Sequence, residues 1–173
     1  DDWLSIVSFS DRAEVVIPPT PVRERHSFSS AIASLLPRGG TEIYQGLLSG
    51  LTQVQRHASP DYVNHVLLLT DGRTYGDEEL ALHATQQARE YGIGVSAFGI
   101  GEDWNDVFLD NLARKGGGVS QYISSPSQMR EVLREEIQGL SKAVVKSMSL
   151  RIEPSADIHL SAVFKAAPYM ALL

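Results

Sequence analysis

Short apolar stretches alternate with amphipathic ones along most of this chain, which predicts alternating strands and helices. Residues 3–9 and 13–17 are typical of two strands joined through the turn Ser10-Asp11-Arg12, the second closed by Pro18-Pro19. Residues 63–70 form a nearly continuous apolar run, the pattern of a strand buried on both faces of a parallel sheet, and we predict that it is the central strand. Further strands are predicted over residues 93–98 and 119–123.

Helical spacing and capping residues predict five helices between these strands. They are expected over residues 27–36, from Thr41 or Glu42 onward, from Asp77 to Tyr91, from Asn105 to Lys115, and from Ser125 or Ser127 to Val144. Two of the predicted buried faces are Leu80, Ala84, Ala88 and Tyr91, and Met129, Val132, Leu133, Ile137, Leu140 and Val144. The fold class that follows is α/β, a Rossmann-like three-layer sandwich whose sheet is mostly parallel with one antiparallel edge strand.

The alternation of predicted strands and helices ends near residue 145. Residues 147–153 and 158–164 alternate apolar and polar positions without a helix between them, which predicts two strands. We therefore expect one α/β domain over residues 1–145 and, over residues 146–173, the start of a β-rich segment that leads into a following domain.

Composition narrows the classes of function. The chain has 173 residues with a net charge of -6, and it contains no Lys/Arg run, so binding to a nucleic-acid backbone is disfavoured. No apolar run reaches the roughly 20 residues that would cross a bilayer, so membrane insertion by this fragment is not expected and the fragment should be soluble. The absence of cysteine excludes disulfides and thiolate metal sites. The compartment stays open, with the cytoplasm slightly favoured over the extracellular space.

Asp71 provides the strongest local signal for a site. It follows the apolar strand directly and precedes Gly72, and ligands of open α/β sheets bind at the carboxyl ends of strands. A cation is the simplest ligand for this carboxylate, although an Asp that only caps a turn would show the same pattern. A second signal is Gly39-Gly40-Thr41-Glu42, a flexible turn that presents one hydroxyl just before a helix.

Several motifs, taken together, resemble the von Willebrand factor A family over roughly residues 1–145. They are Phe9-Ser10-Asp11, Gly40-Thr41 followed by Gly46-Leu47, Leu69-Thr70-Asp71-Gly72, Gly99-Ile100-Gly101 with Asn105, and Gly117-Gly118. The resemblance implies a protein-binding module that holds Mg²⁺, Mn²⁺ or Ca²⁺ in an adhesion site built from three loops. Thr41 matches the second loop by position, and Asp71 matches the third.

The first loop of that site, Asp-x-Ser-x-Ser in the family, does not occur in this chain, and the resemblance implies that the family's first strand, this loop and the first helix would lie upstream of Asp1. One hydroxyl and one carboxylate make only a weak half-site, so the cation is expected in an intact domain, and the site in this fragment can stay empty. In an intact site a protein partner would complete the metal's coordination with an acidic side chain. The expected rim of that binding surface, in which each residue alone also fits an ordinary loop role, comprises Arg38, Gly40, Gly72, Arg73, Thr74, Tyr75, Asp103 and Trp104.

The family's first strand would lie between the strands over residues 3–9 and 63–70. Because unpaired strand edges associate with other chains, we expect that strand to come from residues outside this sequence, from another chain by strand exchange or oligomer formation, or from the tail over residues 158–164. Direct pairing of residues 3–9 with residues 63–70 would contradict this expectation.

Two other functions compete with the binding module. One is a Mg²⁺-dependent phosphoryl-transfer hydrolase in which Asp71 acts as nucleophile or metal ligand, although no second carboxylate follows two residues later. The other is a purely structural domain whose metal site is unused. The five histidines lack metal-ligand spacing, and Ser96 lies outside a Gly-x-Ser-x-Gly elbow, so ordinary structural roles are favoured for these residues.

Overall fold

The computed structural model describes residues 2–23, 25–71, 73–74, 76–101, 105–142, 151–154, 159–165 and 171–172. The elements of the first unit are strands β1 (Trp3–Phe9), β2 (Ala13–Pro21), β3 (Asn64–Thr70), β4 (Ile93–Ile100) and β5 (Gly117–Ile123) and helices α1 (Arg25–Ala33), α2 (Ile43–Gln55), α3 (Glu78–Glu90), α4 (Asp106–Gly116) and α5 (Pro126–Ser141). Strands and helices alternate from α2 onward, as the hydrophobic pattern predicts. The α/β class is confirmed.

The hairpin of β1 and β2 is longer than the sequence predicts, because Pro18 and Pro19 do not end the second strand. The pairing moves from Leu4↔Thr20 to Ile6↔Ile17, so β2 advances by three residues while β1 advances by two. This bulge lies where the two prolines fall, and a bulged edge strand tolerates residues that have no N–H to donate.

A second sheet contains β3, β4 and β5 in parallel, and β4 lies in the middle. Val95, Ala97 and Phe98 of this strand are fully buried, whereas only two residues of β3 are buried. The prediction that residues 63–70 form the central strand is therefore wrong for the sheet that the described residues form. Among the described residues, β3 is hydrogen-bonded to β4 on one side only and lies at the edge of this sheet.

Helix α2 packs against both sheets. Gly46 lies against the ring of Phe9 in β1, and a Cβ placed on Gly50 would lie 3.5 Å from Cγ1 of Val66 in β3. Within the described ranges β1 and β3 are not hydrogen-bonded to each other. The pairing that would have contradicted the expectation of an intervening strand is thus not observed, and that expectation stays a prediction.

The buried faces of two helices differ from the predicted ones. In α3 the buried residues are Ala81, Thr85 and Ala88, whereas Leu80 is 54% exposed and Tyr91, just after the helix, is 77% exposed. The predicted face of α3 is therefore correct for its small residues, since Ala88 is buried and Ala84 packs against the core, and wrong for its large ones. In α5 the predicted face is correct in part: Val132 is buried and Met129 and Leu133 pack against the same cluster, whereas Ile137 is exposed.

Helix boundaries follow local capping chemistry. Asn105 accepts a hydrogen bond from the backbone N–H of Phe108, and Ser125, rather than Ser127, accepts one from Gln128. Gly117 ends α4 in the left-handed conformation with φ 71°. Helix α1 ends at Ala33, so the predicted extension to Leu36 is wrong. No helix within the described ranges combines the length and apolarity that a bilayer crossing would need.

The chain divides into two units, residues 1–143 and 144–173. In the second unit two short strands, β6 (Phe164–Lys165) and β7 (Ala171–Leu172), pair in antiparallel fashion. Residues 151–154 and 159–163 are not in strands, so the two predicted strands are wrong over those residues. Residues 147–150 and 158 lie outside the described ones, and the idea that this unit begins a β-rich domain stays a prediction.

Candidate functional site

The Thr41 loop is fixed to the end of the β1–β2 hairpin. The backbone N–H of Glu42 donates to the carbonyl of Ser10 at 2.8 Å. Gly40 has φ 85°, and a Cβ at this position would collide with the carboxylate of Asp11. Only glycine tolerates both the left-handed conformation and this close approach. The turn after β1 therefore sets the position of Thr41, which is half-buried.

The Asp71 loop leaves the carboxyl end of β3 and returns to the start of α2. Asp71 is exposed, and it follows the buried Thr70. Three residues later, Thr74 is only 4% exposed, and its hydroxyl accepts a hydrogen bond from the backbone N–H of Ile43 at 3.3 Å. The loop after Asp71 is thus joined to the residue that lies two positions after Thr41.

Asp77 makes the second link between these loops. Its Oδ2 accepts from the backbone N–H of Tyr44 at 3.0 Å, and its Oδ1 accepts from the hydroxyl of Thr74. The first N–H groups of a helix have no partner within the helix, and a carboxylate beside them also interacts favourably with the helix dipole. Thr74 and Asp77 therefore cap α2, whose own N-cap residue, Glu42, makes no side-chain cap.

These contacts bring the Thr41 loop and the Asp71 loop to the same end of the fold, at the carboxyl ends of β1 and β3. A hydroxyl and a carboxylate are both oxygen donors, which hard cations prefer, and Mg²⁺ retains several waters when few protein groups reach it. The described residues contain no cluster of three or more His, Asp or Glu side chains that could hold a metal. The donor set thus fits a hard cation only as part of a coordination shell.

The predicted rim residues fall into three groups. Arg38 and Arg73 are exposed, and Arg38 forms an ion pair with Glu14 at 3.2 Å. Thr74, predicted on the rim, is instead buried beneath the loop and engaged with α2, so its side chain is not part of an accessible surface. The remaining predicted rim residues, apart from Gly40, lie outside the described ones: Gly72, Tyr75, Asp103 and Trp104.

Sequence reasoning missed the role of Asp77. Its position before Glu78 and Glu79 indicates favourable negative charge at the start of α3, and that interpretation hides its contact with α2. The signal that could have revealed it is the short spacing from Asp71: Asp77 follows six positions later, so it lies within about 20 Å of the carboxyl end of β3, on the side where the loops meet.

A second polar cluster lies within the fold, between the three-stranded sheet and α5. The hydroxyl of Ser96 in β4 donates to Oε1 of Glu136 at 2.6 Å and accepts from the backbone N–H of Val119 at 3.1 Å. Nε2 of His65 in β3 lies 2.9 Å from the same hydroxyl. A hydroxyl has one hydrogen and two lone pairs, so this arrangement uses its full capacity when Nε2 of His65 carries the proton.

Burial lowers the pKa of His65 to about 4. Oε1 of Glu136 lies 3.7 Å from Nε2 of His65, a distance that would allow an ion pair. Desolvation outweighs this attraction, because the imidazole is almost enclosed and the carboxylate is already engaged by Ser96. His65 is therefore neutral at pH 7, and the contact is not an ion pair there.

The hydrogen bonds of this cluster are typical of a structural role and not of catalysis. A nucleophilic serine donates its proton to a histidine, whereas Ser96 donates to Glu136 and is fully buried. The backbone of the neighbouring strands packs closely against His65 and Ser96. A side chain at Gly94 would collide with His65, and one at Gly118 would collide with Ser96. The structural interpretation of His65 and Ser96 agrees with these contacts.

Comparison with known proteins identifies related sequences and folds. A family model described as von Willebrand factor type A domain matches residues 1–138. The "Uncharacterized protein sll0103" of Synechocystis is 33% identical over 164 residues, which is 94% of this chain and 39% of that protein. Human collagen alpha-1(XXI) chain is 26% identical over 78% of this chain and 14% of its own length. The chain thus spans less than half the length of the curated relatives it matches.

Solved structures share the fold at low sequence identity. BatB from Bacteroides thetaiotaomicron superposes with a TM-score of 0.67 at 18% identity, covering 82% of this chain and 80% of BatB. Proximal thread matrix protein 1 of the mussel byssus, with a zinc-occupied MIDAS motif, superposes with a TM-score of 0.61 at 24% identity, covering 78% of this chain and 33% of that one. These similarities concern the fold.

Proposed function

This chain belongs to the von Willebrand factor type A family, and on that premise we propose that it is a non-enzymatic binding module that recognises an acidic side chain of a protein partner through a divalent cation. Domains of this family typically mediate protein interactions. The cation, Mg²⁺ in the first place and Mn²⁺ or Ca²⁺ as alternatives, would be held by Thr41 and Asp71, with the remaining positions taken by water or by further oxygen donors.

One observation carries this proposal: the loops of Thr41 and Asp71 are joined through the start of α2. The backbone N–H groups of Ile43 and Tyr44 bind the side chains of Thr74 and Asp77. Thr41 lies immediately before this junction, and Asp71 lies three residues before Thr74. A hydroxyl and a carboxylate on loops joined in this way would offer a hard cation two points of attachment.

The chemistry of recognition follows from the incomplete coordination. A cation with few protein ligands keeps exchangeable waters, and a partner's carboxylate can replace one of them. The net charge of -6 would otherwise disfavour an acidic partner, so the cation would supply the attraction that the surface lacks. Arg38 and Arg73, exposed near the two loops, would add contacts to the same carboxylate or its neighbours.

The proposal is tested by titrating the isotope-labelled chain with Mn²⁺ and following the broadening of backbone amide signals by NMR, a method that detects weak binding. Signals of residues 41 and 71 should broaden together, and excess Mg²⁺ should reverse the effect. Thr41→Val and Asp71→Asn should each weaken Mn²⁺ binding. Asp61→Asn is the matched control, because Asp61 is an exposed aspartate just before the opposite end of β3.

Partner recognition is tested separately with two peptides that differ only in one residue, glutamate or glutamine. The glutamate peptide should bind the chain in the presence of Mg²⁺, and chelation of the metal should abolish binding. Mn²⁺ broadening that is indifferent to both Thr41→Val and Asp71→Asn would overturn the proposed cation site. Equal binding of the two peptides would overturn the proposed role of the carboxylate.

A further inference from the structure

We infer that Thr74 and Asp77 are positioning residues of the cation site: they lock the Asp71 loop onto the start of α2, so that Thr41 and Asp71 can share one ion. This inference rests on the proposed function. We call the two side chains together the brace. Neither is a proposed ligand of the ion, and both act through the backbone of Ile43 and Tyr44.

The side chain of Asp77 points away from its own helix. It occupies the N-cap position of α3, where an aspartate ordinarily accepts hydrogen bonds from its own helix. Here it makes no side-chain cap on α3, and its carboxylate instead binds Thr74 and the N–H of Tyr44 in α2. Asp77 therefore joins the start of α3 to the start of α2.

The two proposed ligands belong to loops that extend from different sheets. The Thr41 loop is bonded to the β1–β2 hairpin through Glu42 and Ser10, whereas Asp71 extends from β3. No ladder of backbone hydrogen bonds connects β1 with β3 in the described part of the chain. The relative position of the two proposed ligands thus depends on α2 and on the brace at its start.

Both side chains of the brace are buried. Thr74 is 4% exposed and Asp77 is 8% exposed, so water does not compete for their hydrogen bonds as it would at the surface. The exposed Asp71 would gain a defined position from its attachment to this buried pair. Ligand groups held in place before the ion arrives lose less conformational freedom on binding, which raises affinity.

The test compares Thr74→Val, which removes the hydroxyl and keeps the shape, with Thr74→Ser, which keeps the hydroxyl. Thr85→Val is the matched control, because Thr85 is a fully buried threonine of α3 whose hydroxyl has no hydrogen-bond partner among the described residues. Thr74→Val should lower Mn²⁺ affinity about tenfold, as loss of a supporting residue around a metal site does. Thr74→Ser and Thr85→Val should stay close to the parent chain.

A double-mutant cycle separates positioning from general stability. Thr41→Val and Asp71→Asn are measured singly and together, in the parent chain and in Thr74→Val, under conditions where circular dichroism shows all variants folded. In the parent the two effects on Mn²⁺ affinity should be non-additive, because both groups hold one ion. In Thr74→Val the effects should become additive. Loss of stability alone would not change this coupling.

The outcomes distinguish the two claims. Coupling that persists unchanged in Thr74→Val would overturn the brace and leave the cation site in place. Indifference of Mn²⁺ binding to Thr41 and Asp71 in the parent chain would overturn the proposed function, and the inference with it. If Thr74→Val does not fold, Asp77→Asn replaces it: faster hydrogen exchange of the Tyr44 amide with reduced coupling supports the brace, and unchanged coupling overturns it.

Discussion

Acidification from pH 7 to pH 5 should weaken this fold through one buried side chain, His65. The imidazole lies between β3, β4 and α5, and its Nε2 contacts the hydroxyl of Ser96. The unfolded chain binds a proton at this histidine near the ordinary pKa of 6.5, whereas burial lowers the pKa in the folded chain to about 4. Between these values the unfolded state binds more protons, so the free energy of unfolding falls as the pH falls.

The magnitude follows from the two pKa values. Their difference, about 2.5, corresponds to roughly 3 kcal/mol at about 1.4 kcal/mol for each pH unit. This stability is present above pH 6.5 and is lost progressively down to pH 4. Linkage between the same values gives a loss of about 2 kcal/mol between pH 7 and pH 5. That window is useful because most carboxylates remain ionised in it.

Urea unfolding followed by circular dichroism, repeated at several pH values from 7 to 5, measures this loss. His65→Gln should remove most of the pH dependence, because glutamine does not titrate and its amide can still donate to Ser96. His83→Gln, a change at an exposed histidine of α3, is the control and should keep the parent slope. The same slope in His65→Gln would refute the reasoning. A parent chain that gains stability relative to His65→Gln on acidification would show that attraction to Glu136, 3.7 Å away, exceeds the cost of desolvation.

Two further predictions concern packing and strand edges. Gly46→Ala should destabilise the chain by about 1–3 kcal/mol, because a Cβ there would lie 2.5 Å from Cγ of Phe9. Gly50→Ala in the same helix has room for the added methyl group and should stabilise the chain by roughly 0.5–1 kcal/mol. Urea unfolding measures both changes, and equal effects of the two variants would contradict the packing argument. The edges of β1 and β3 that have no ladder partner among the described residues should accept a strand from another chain. Sedimentation should therefore show self-association that increases with protein concentration. A monomer at all concentrations, with fast-exchanging amides along both edges, would contradict this prediction.

The order of the elements could be predicted from the sequence because local chemistry determines it. Asn105 and Ser125 cap helices with their own side chains, and Gly117 ends one in a conformation that glycine favours. The buried face of α3 could not be predicted in the same way, since Leu80 and Tyr91 are exposed while Thr85 is buried. The contacts of α3 with α2, α4 and β4 determine which face packs inward, and hydrophobicity alone does not contain that information.

For the candidate site, the sequence predicts which loops meet but not what joins them. The position of Asp71 after an apolar strand and of Thr41 before a helix indicates the same end of a parallel sheet. The brace of Thr74 and Asp77 depends on tertiary contacts 31 and 33 residues apart along the chain. A threonine and an aspartate in a polar loop are typical of solvent exposure, and only the fold shows that they are buried and bonded to the first turn of α2.

The two loops of the proposed site therefore depend on different parts of the fold. The hydrogen bond from the backbone N–H of Glu42 to the carbonyl of Ser10 attaches the Thr41 loop to a hairpin, and β3 carries Asp71 from a separate sheet. Helix α2 packs against both sheets, and its first turn is the place where side chains from the Asp71 loop bind its backbone. A strand that paired with both β1 and β3 would add a direct ladder between the sheets and would reduce the dependence of the site on the brace. Thr74→Val should accordingly lower Mn²⁺ affinity most when no strand is paired with both β1 and β3. Self-association that supplies such a strand should reduce the effect of this substitution.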